Sequence, residues 1–151
     1  MSNADFKNLL LIINGNAFND LDNWKSFSLS ELESQKDELK VGGVYAIKAQ
    51  NEEVLYIGKA KYLYDRLKSH LKATEKLETA PAWKQFFEYF DNNLIALYFP
   101  ITTFSEGASE HARQILERML QVKYSPLFNK IYGRGHKVID DFEGFIKTLD
   151  R

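Results

Sequence analysis

Two short β-rich runs joined by a polar turn constrain this chain more than any other feature. Gly42-Gly43 punctuates the preceding segment, Val44-Tyr45-Ala46-Ile47 follows, and Val54-Leu55-Tyr56-Ile57 comes after the turn from Ala49 to Glu53. β-Branched and aromatic residues bounded by glycine and a short polar loop predict an antiparallel hairpin. Gly58 closes its second strand, and Leu63, Leu67 and Leu71 then recur every four residues as the inner stripe of a helix from about Ala60 to Ala73. A further helix is expected from Pro81, burying Trp83, Phe86, Phe87 and Phe90, and a third strand from Leu94 to Phe99, stopped by Pro100. Ser105 can cap a helix reaching about Tyr124 with Ala112, Ile115, Leu116 and Met119 inward, and Asp140 to Asp150 reads as a last short helix.

Ahead of the hairpin the pattern is helical. Phe6, Leu9, Leu10 and Ile13 recur at helical spacing, Gly15 stops them, and Ser28 to Lys40 suggests a second short helix. Met1 to Ala4 look like residues of cloning origin and are set aside at this point. The expected fold class is α+β: a small three-stranded antiparallel sheet flanked by helices. A helical extension over residues 1–40 precedes a central domain over 41–130, and a C-terminal extension over 131–151 packs on that domain.

Composition excludes several chemistries. With 151 residues, 44% hydrophobic and 27% charged, one globular domain is expected, burying about 68 to 70% of its unfolded surface without staples. The chain has no cysteine, which removes disulfides, thiolate zinc sites and thiol nucleophiles. The apolar run Leu9 to Ile13 is far short of the ~20 residues a membrane span needs, so a soluble, cytoplasmic protein without membrane contact is expected. Charge is balanced at 20 bases and 21 acids, yet unevenly placed. Residues 1–40 hold four bases against seven acids, 59–76 hold six against two, and 119–137 hold four bases and no acid. Two basic patches on an acidic background suit a polyanion partner.

The informative residues cluster on and after the hairpin. Tyr45 and Tyr56 fall on neighbouring antiparallel strands. Arg66 and His70, four apart, share a helix face that is expected to project away from the leucine stripe. Glu117 lies on the later helix opposite Ile115 and Met119, and Asn129 follows Pro126. His111 and His136 have no ligand partner at usable spacing, and Asp140, Asp141 and Glu143 read as a solvated helix start.

Taken together, Gly43-Val44-Tyr45, Tyr56-Ile57-Gly58-Lys59-Ala60, Arg66 with His70, Glu117 and Asn129 resemble the GIY-YIG nuclease family in order and approximate spacing over roughly residues 41–130. Val44 stands where the family name has isoleucine. The resemblance implies a metal-dependent endonuclease that hydrolyses DNA phosphodiester bonds with one Mg²⁺ or Mn²⁺ ion. The alternative is a non-catalytic DNA-binding or protein-interaction module on the same fold. In the catalytic reading Glu117 is the metal ligand, a single carboxylate suiting Mg²⁺, which keeps several waters. Arg66 offers its planar fork to phosphate. Tyr45 takes the proton from the attacking water by analogy, Tyr56 orients that water, and the residues alone leave open which tyrosine is the base. Because phenol titrates near pH 10, Lys59, His70 or the metal must bias it, and Asn129 braces the site. Lys61, Lys68, Lys72, Lys123, Lys130, Arg134 and Lys137 are candidate contacts to the DNA backbone. Residues 1–40 are a candidate protein-partner or dimer contact.

Overall fold

The structure is a computed structural model that describes residues 1–50, 53–73, 85, 88–89, 93–126, 129, 144 and 147. The hairpin forms as expected. Strand β2 (Gly43–Ala49) pairs antiparallel with β3 (Val54–Ala60), with a register shift between Ile47 and Lys48. The Ala49 amide donates to the Glu53 carbonyl at 2.9 Å across the turn. On its other side β2 pairs antiparallel with β4 (Leu94–Pro100) from Gly43↔Pro100 to Ala49↔Leu94.

The sheet has a fourth strand that corrects the three-stranded expectation. Lys25–Ser28 forms β1 and pairs antiparallel with β4, giving the order β1-β4-β2-β3. Residues 1–40 are therefore not a purely helical extension. Helix α1 (Asn3–Ile13) and the short α2 (Asn16–Asn19) precede β1, and the expected second helix is a 3₁₀ stretch, Leu29–Gln35. Trp24 and Lys25 begin an extended segment whose Phe27 is buried against Tyr98.

Two helical layers cover the two faces of the sheet. Tyr45, Ile47, Tyr56, Ala96 and Tyr98 pack with Leu29, Leu32 and Leu39 and with Leu63 and Leu67 of α3 (Leu63–Ala73). Val44, Ala46, Ile57 and Leu97 pack on the opposite face against Leu9, Phe18, Leu21 and Trp24, and against α4 (Glu106–Tyr124). This is the alternation a strand buried on both faces requires. The buried stripe of α4 is Ala108, Ala112, Leu116 and Leu120. Ile115 was expected inside and is 41% exposed, and Met119 is only half-buried. The stripe follows the i, i+4 row through Leu116, and Ile115 sits about 100° away from it.

Asp5 ties α1 to the start of α4. Its buried carboxylate accepts from Ser2 at the N-cap of α1 and from the amide and hydroxyl of Ser105, 3.0 and 2.7 Å away. Those bonds hold the Asp5 carboxyl well below the usual carboxylate range. Ser105 thus stands at the N-cap of α4 without capping it, its hydroxyl given instead to Asp5. The expected helices from Pro81 and from Asp140 to Asp150 lie mainly outside the described residues, although Gln85, Glu88 and Tyr89 are helical. The C-terminal extension falls outside them almost entirely.

Candidate active site

The hairpin brings the two tyrosines together because one residue between them has no side chain. Tyr45 lies opposite Gly58 in the β2–β3 ladder. A Cβ at position 58 would fall 2.6 Å from Tyr45 Oη and 2.7 Å from the Tyr56 ring, so only glycine lets both phenols lie there. The ring centroids of Tyr45 and Tyr56 are 5.9 Å apart, and the His70 ring lies 5.6 and 5.2 Å from them.

Tyr45 and His70 form the buried back of the site. Tyr45 Oη is 2.6 Å from His70 Nε2 and accepts from Arg66 Nε at 3.4 Å. Burial pushes the Tyr45 phenol well above its ordinary value, Tyr56 adds to this, and the Arg66 charge opposes it. Burial also pushes His70 down to about 3, with the Arg66 charge acting in the same direction, so the imidazole is neutral at pH 7. His70 was expected to project away from the core. It is buried because it lies seven residues, almost two full turns, beyond Leu63 and returns to that residue's face.

β3 is an edge strand, so its outward backbone groups need other partners. Asn129 satisfies two at once. Its Oδ1 accepts from the Ile57 amide at 2.9 Å and its Nδ2 donates to the Ile57 carbonyl at 3.0 Å. Gln121 Nε2 donates to the same carbonyl at 3.1 Å, and the Lys59 amide donates to the Glu117 carboxylate. Ser125, in the left-handed region at φ 45°, ends α4 just before buried Pro126 and Asn129.

A cleft of about 880 Å³ opens beside this edge, lined by Tyr56, Lys59, Arg66, Glu117, Gln121 and Asn129, with Lys61 and Tyr62 also on its wall. Glu117 comes from α4, on the sheet face opposite Tyr45, and reaches the same cleft as Arg66 because both helical layers meet at β3. Burial raises the Glu117 carboxyl above its usual range, and the Lys59 charge works against that. Lys59 Nζ is 2.5 Å from Glu110 Oε1, while Glu110 Oε2 accepts from Arg113 at 2.9 Å. These contacts, that with Lys59 first, lower the Glu110 carboxyl.

The cleft therefore collects five of the seven predicted site residues and leaves Tyr45 and His70 behind it. Of the predicted backbone contacts, Lys61 lines it. Lys68 instead faces Tyr64 and Glu33, 3.1 and 3.5 Å away, and Lys123 donates to the Asn19 carbonyl at 2.8 Å. Lys72 is exposed on α3 outside the cleft lining, and Lys130, Arg134 and Lys137 lie outside the described residues. Gln121 and Glu110 were missed. Both share a face of α4 with Glu117, four residues after it and seven before, a spacing that would have found them.

A model of the UvrC-like GIY-YIG domain matches residues 41–130, more than half of the chain. The chain belongs to the UvrC-like GIY-YIG family. UvrABC system protein C of Syntrophomonas wolfei is 36% identical over a match that covers 38% of this chain and 12% of that protein. This chain thus spans about an eighth of the length of the curated relative it matches. Among solved structures, the GIY-YIG N-terminal endonuclease domain of UvrC from Thermotoga maritima, bound to magnesium as its catalytic divalent cation, is 25% identical. The match covers 65% of this chain and 94% of that domain at a TM-score of 0.43. A Tyr-to-Phe point mutant of the same Thermotoga domain is 23% identical, with the same coverage of both chains and the same TM-score. No described helix of this GIY-YIG chain is long and apolar enough to cross a membrane.

Proposed function

We propose that this chain is a divalent-metal-dependent endonuclease that hydrolyses DNA phosphodiester bonds, acting in the cytoplasm. One observation carries the reading: Tyr56, Lys59, Arg66, Glu117 and Asn129 line a single open cleft at the β3 edge. Phosphodiester hydrolysis needs a positioned nucleophile and a way to neutralise charge on the transferring group, and this set contains groups for both.

The residues fit a hard divalent cation. Glu117 is a half-buried carboxylate in an open cleft, and no cluster of three or more His, Asp or Glu competes for a metal among the described residues. One carboxylate with room for water suits Mg²⁺, and Glu117 would hold it. A bound ion supplies Lewis-acid polarisation of the phosphate and charge neutralisation. The chain's own groups do the rest. Arg66 presents its guanidinium to a phosphate oxygen while its Nε stays on Tyr45. Lys59 adds a positive charge. Tyr56 faces the cleft and is placed to orient or deprotonate the attacking water, whereas Tyr45, buried and held as phenol, positions Arg66 and Tyr56. Asn129 and Gln121 fix β3, and with it the backbone of Tyr56 and Lys59.

Residues 1–40 keep the reading of a protein or dimer contact on one observation, the exposure of Phe6, Leu10 and Leu11 on α1. The proposed activity is tested by nicking of supercoiled plasmid with and without Mg²⁺. Glu117→Gln keeps size and shape but removes the anionic ligand, so nicking should collapse while DNA binding survives. A wild-type rate for that variant in saturating Mg²⁺ would exclude Glu117 as the ligand.

A further inference from the structure

Tyr62 sits where a helix would ordinarily carry a different residue. It immediately precedes Leu63, and its carbonyl accepts from the Arg66 amide at 3.3 Å, which makes it the N-cap of α3. Ser, Thr, Asp and Asn are preferred at N-caps because a short oxygen-bearing side chain can accept a free amide. A tyrosine cannot fold back in this way, and the Leu63 and Tyr64 amides are taken instead by the Val41 and Leu39 carbonyls at 2.9 and 3.0 Å. Tyr62 itself is 53% exposed, so neither capping nor burial accounts for its ring.

Its surroundings say what would cover it. The ring lines the same cleft as Arg66, Lys59 and Glu117, and Arg66, four residues on, shares its helix face. Lys61 Nζ lies 5.8 Å from the ring centroid. An exposed π-face inside a cationic cleft matches a polyanion that carries flat apolar groups, and nucleic acid has that chemistry. Bases inside a duplex are already stacked on one another, so a protein ring can receive only a base that is unstacked.

We propose that Tyr62 is a stacking platform for an unpaired nucleobase next to the phosphate held by Arg66, and that it gives the cleft a preference for DNA with a locally unstacked nucleotide. This rests on the nuclease reading above and names the substrate class within it. The hydroxyl plays no part, so Phe should replace Tyr62 fully and Leu should not. Base stacking on an aromatic side chain contributes about 1–3 kcal/mol, a change in affinity of about fivefold or more.

The test uses the full chain in EDTA, so that binding is read without cleavage, and a duplex with one bulged 2-aminopurine. Wild type and Tyr62→Phe should quench the bulged fluorophore, and both should bind bulged DNA about fivefold or more tightly than the same duplex with an abasic bulge. Tyr62→Leu should lose the quenching and the preference while keeping the wild-type melting temperature and the salt dependence of binding. Equal binding and quenching by Tyr62→Leu would overturn the proposal, as would wild type that binds without quenching. If these results came with Mg²⁺-dependent nicking by wild type, the stacking role alone would fall. A wild-type chain that neither bound nor nicked any DNA would remove the nuclease reading and this one together.

Discussion

The Tyr45 hydroxyl and His70 Nε2 meet at 2.6 Å with both side chains buried. Since burial holds His70 down to about 3, against about 6.5 when unfolded, the unfolded chain binds more protons between those two values. Stability from this group is therefore full above pH 6.5 and declines as pH falls towards 3, by up to about 1.4 kcal/mol per pH unit. Asp5, Glu33 and Glu110 have lowered values, so their losses fall below their ordinary carboxylate range, outside the upper part of this window, while Glu117, raised by burial, opposes the His70 loss just above that range. We expect thermal stability to drop between pH 6.5 and 5. His70→Phe, which cannot titrate, should show a flatter profile in the same melts.

The two hairpin tyrosines should separate by kinetics. Tyr56 is the hairpin tyrosine that lines the cleft; if its hydroxyl handles the attacking water, single-turnover cleavage by Tyr56→Phe should fall by about 10² to 10⁴-fold, as for loss of a general acid-base group. Tyr45→Phe removes a contact of Arg66 and His70 and should cost less, with DNA affinity unchanged in both. If Tyr45→Phe were the more damaging change, the proton would pass through the buried phenol.

Asn129 is expected to matter for folding as well as cleavage. Asn129→Leu leaves the Ile57 amide without its partner, while Gln121 still reaches the carbonyl. A buried donor left unpaired costs about 1–3 kcal/mol. Urea denaturation should register that loss, and cleavage should fall with it because Tyr56 and Lys59 flank the loosened residue. Stability equal to wild type would mean that the Asn129 bond is replaceable by water.

Gly58→Ala tests the room between the phenols. The new methyl would overlap Tyr45 Oη and the Tyr56 ring, neither of which is a free chain end. Overpacking of this kind costs about 1–3 kcal/mol. The melting temperature should fall, and near-ultraviolet circular dichroism should show altered tyrosine packing. An unchanged spectrum would mean that the rings have space the geometry denies them.

What was legible in the sequence follows from how strongly each segment repeats. The hairpin declared itself through β-branched and aromatic runs bounded by glycine, α3 through its leucine row, and α4 through apolar residues at helical spacing after Ser105. β1 did not, because Lys25-Ser26-Phe27-Ser28 offers one apolar side chain in four residues. Five of the seven candidate residues line one cleft, but the sequence does not show their depth. His70 was assigned outward from its pairing with Arg66, when its seven-residue offset from Leu63 places it inward. The cations of Lys68 and Lys123 were counted with the DNA-facing charge, and only the fold reveals that they point at Glu33 and Asn19.

The matched region begins at residue 41, but the sheet does not. β1 belongs to the preceding segment and occupies the outer side of β4 along Lys25↔Tyr98 to Ser28↔Ile95. A fragment cut at the family boundary would bare a row of unpaired amides and carbonyls on a strand rich in Leu, Ile and aromatic residues, the kind of edge on which chains template one another into aggregates. In this protein β1 occupies that edge and so withholds β4 from strand addition.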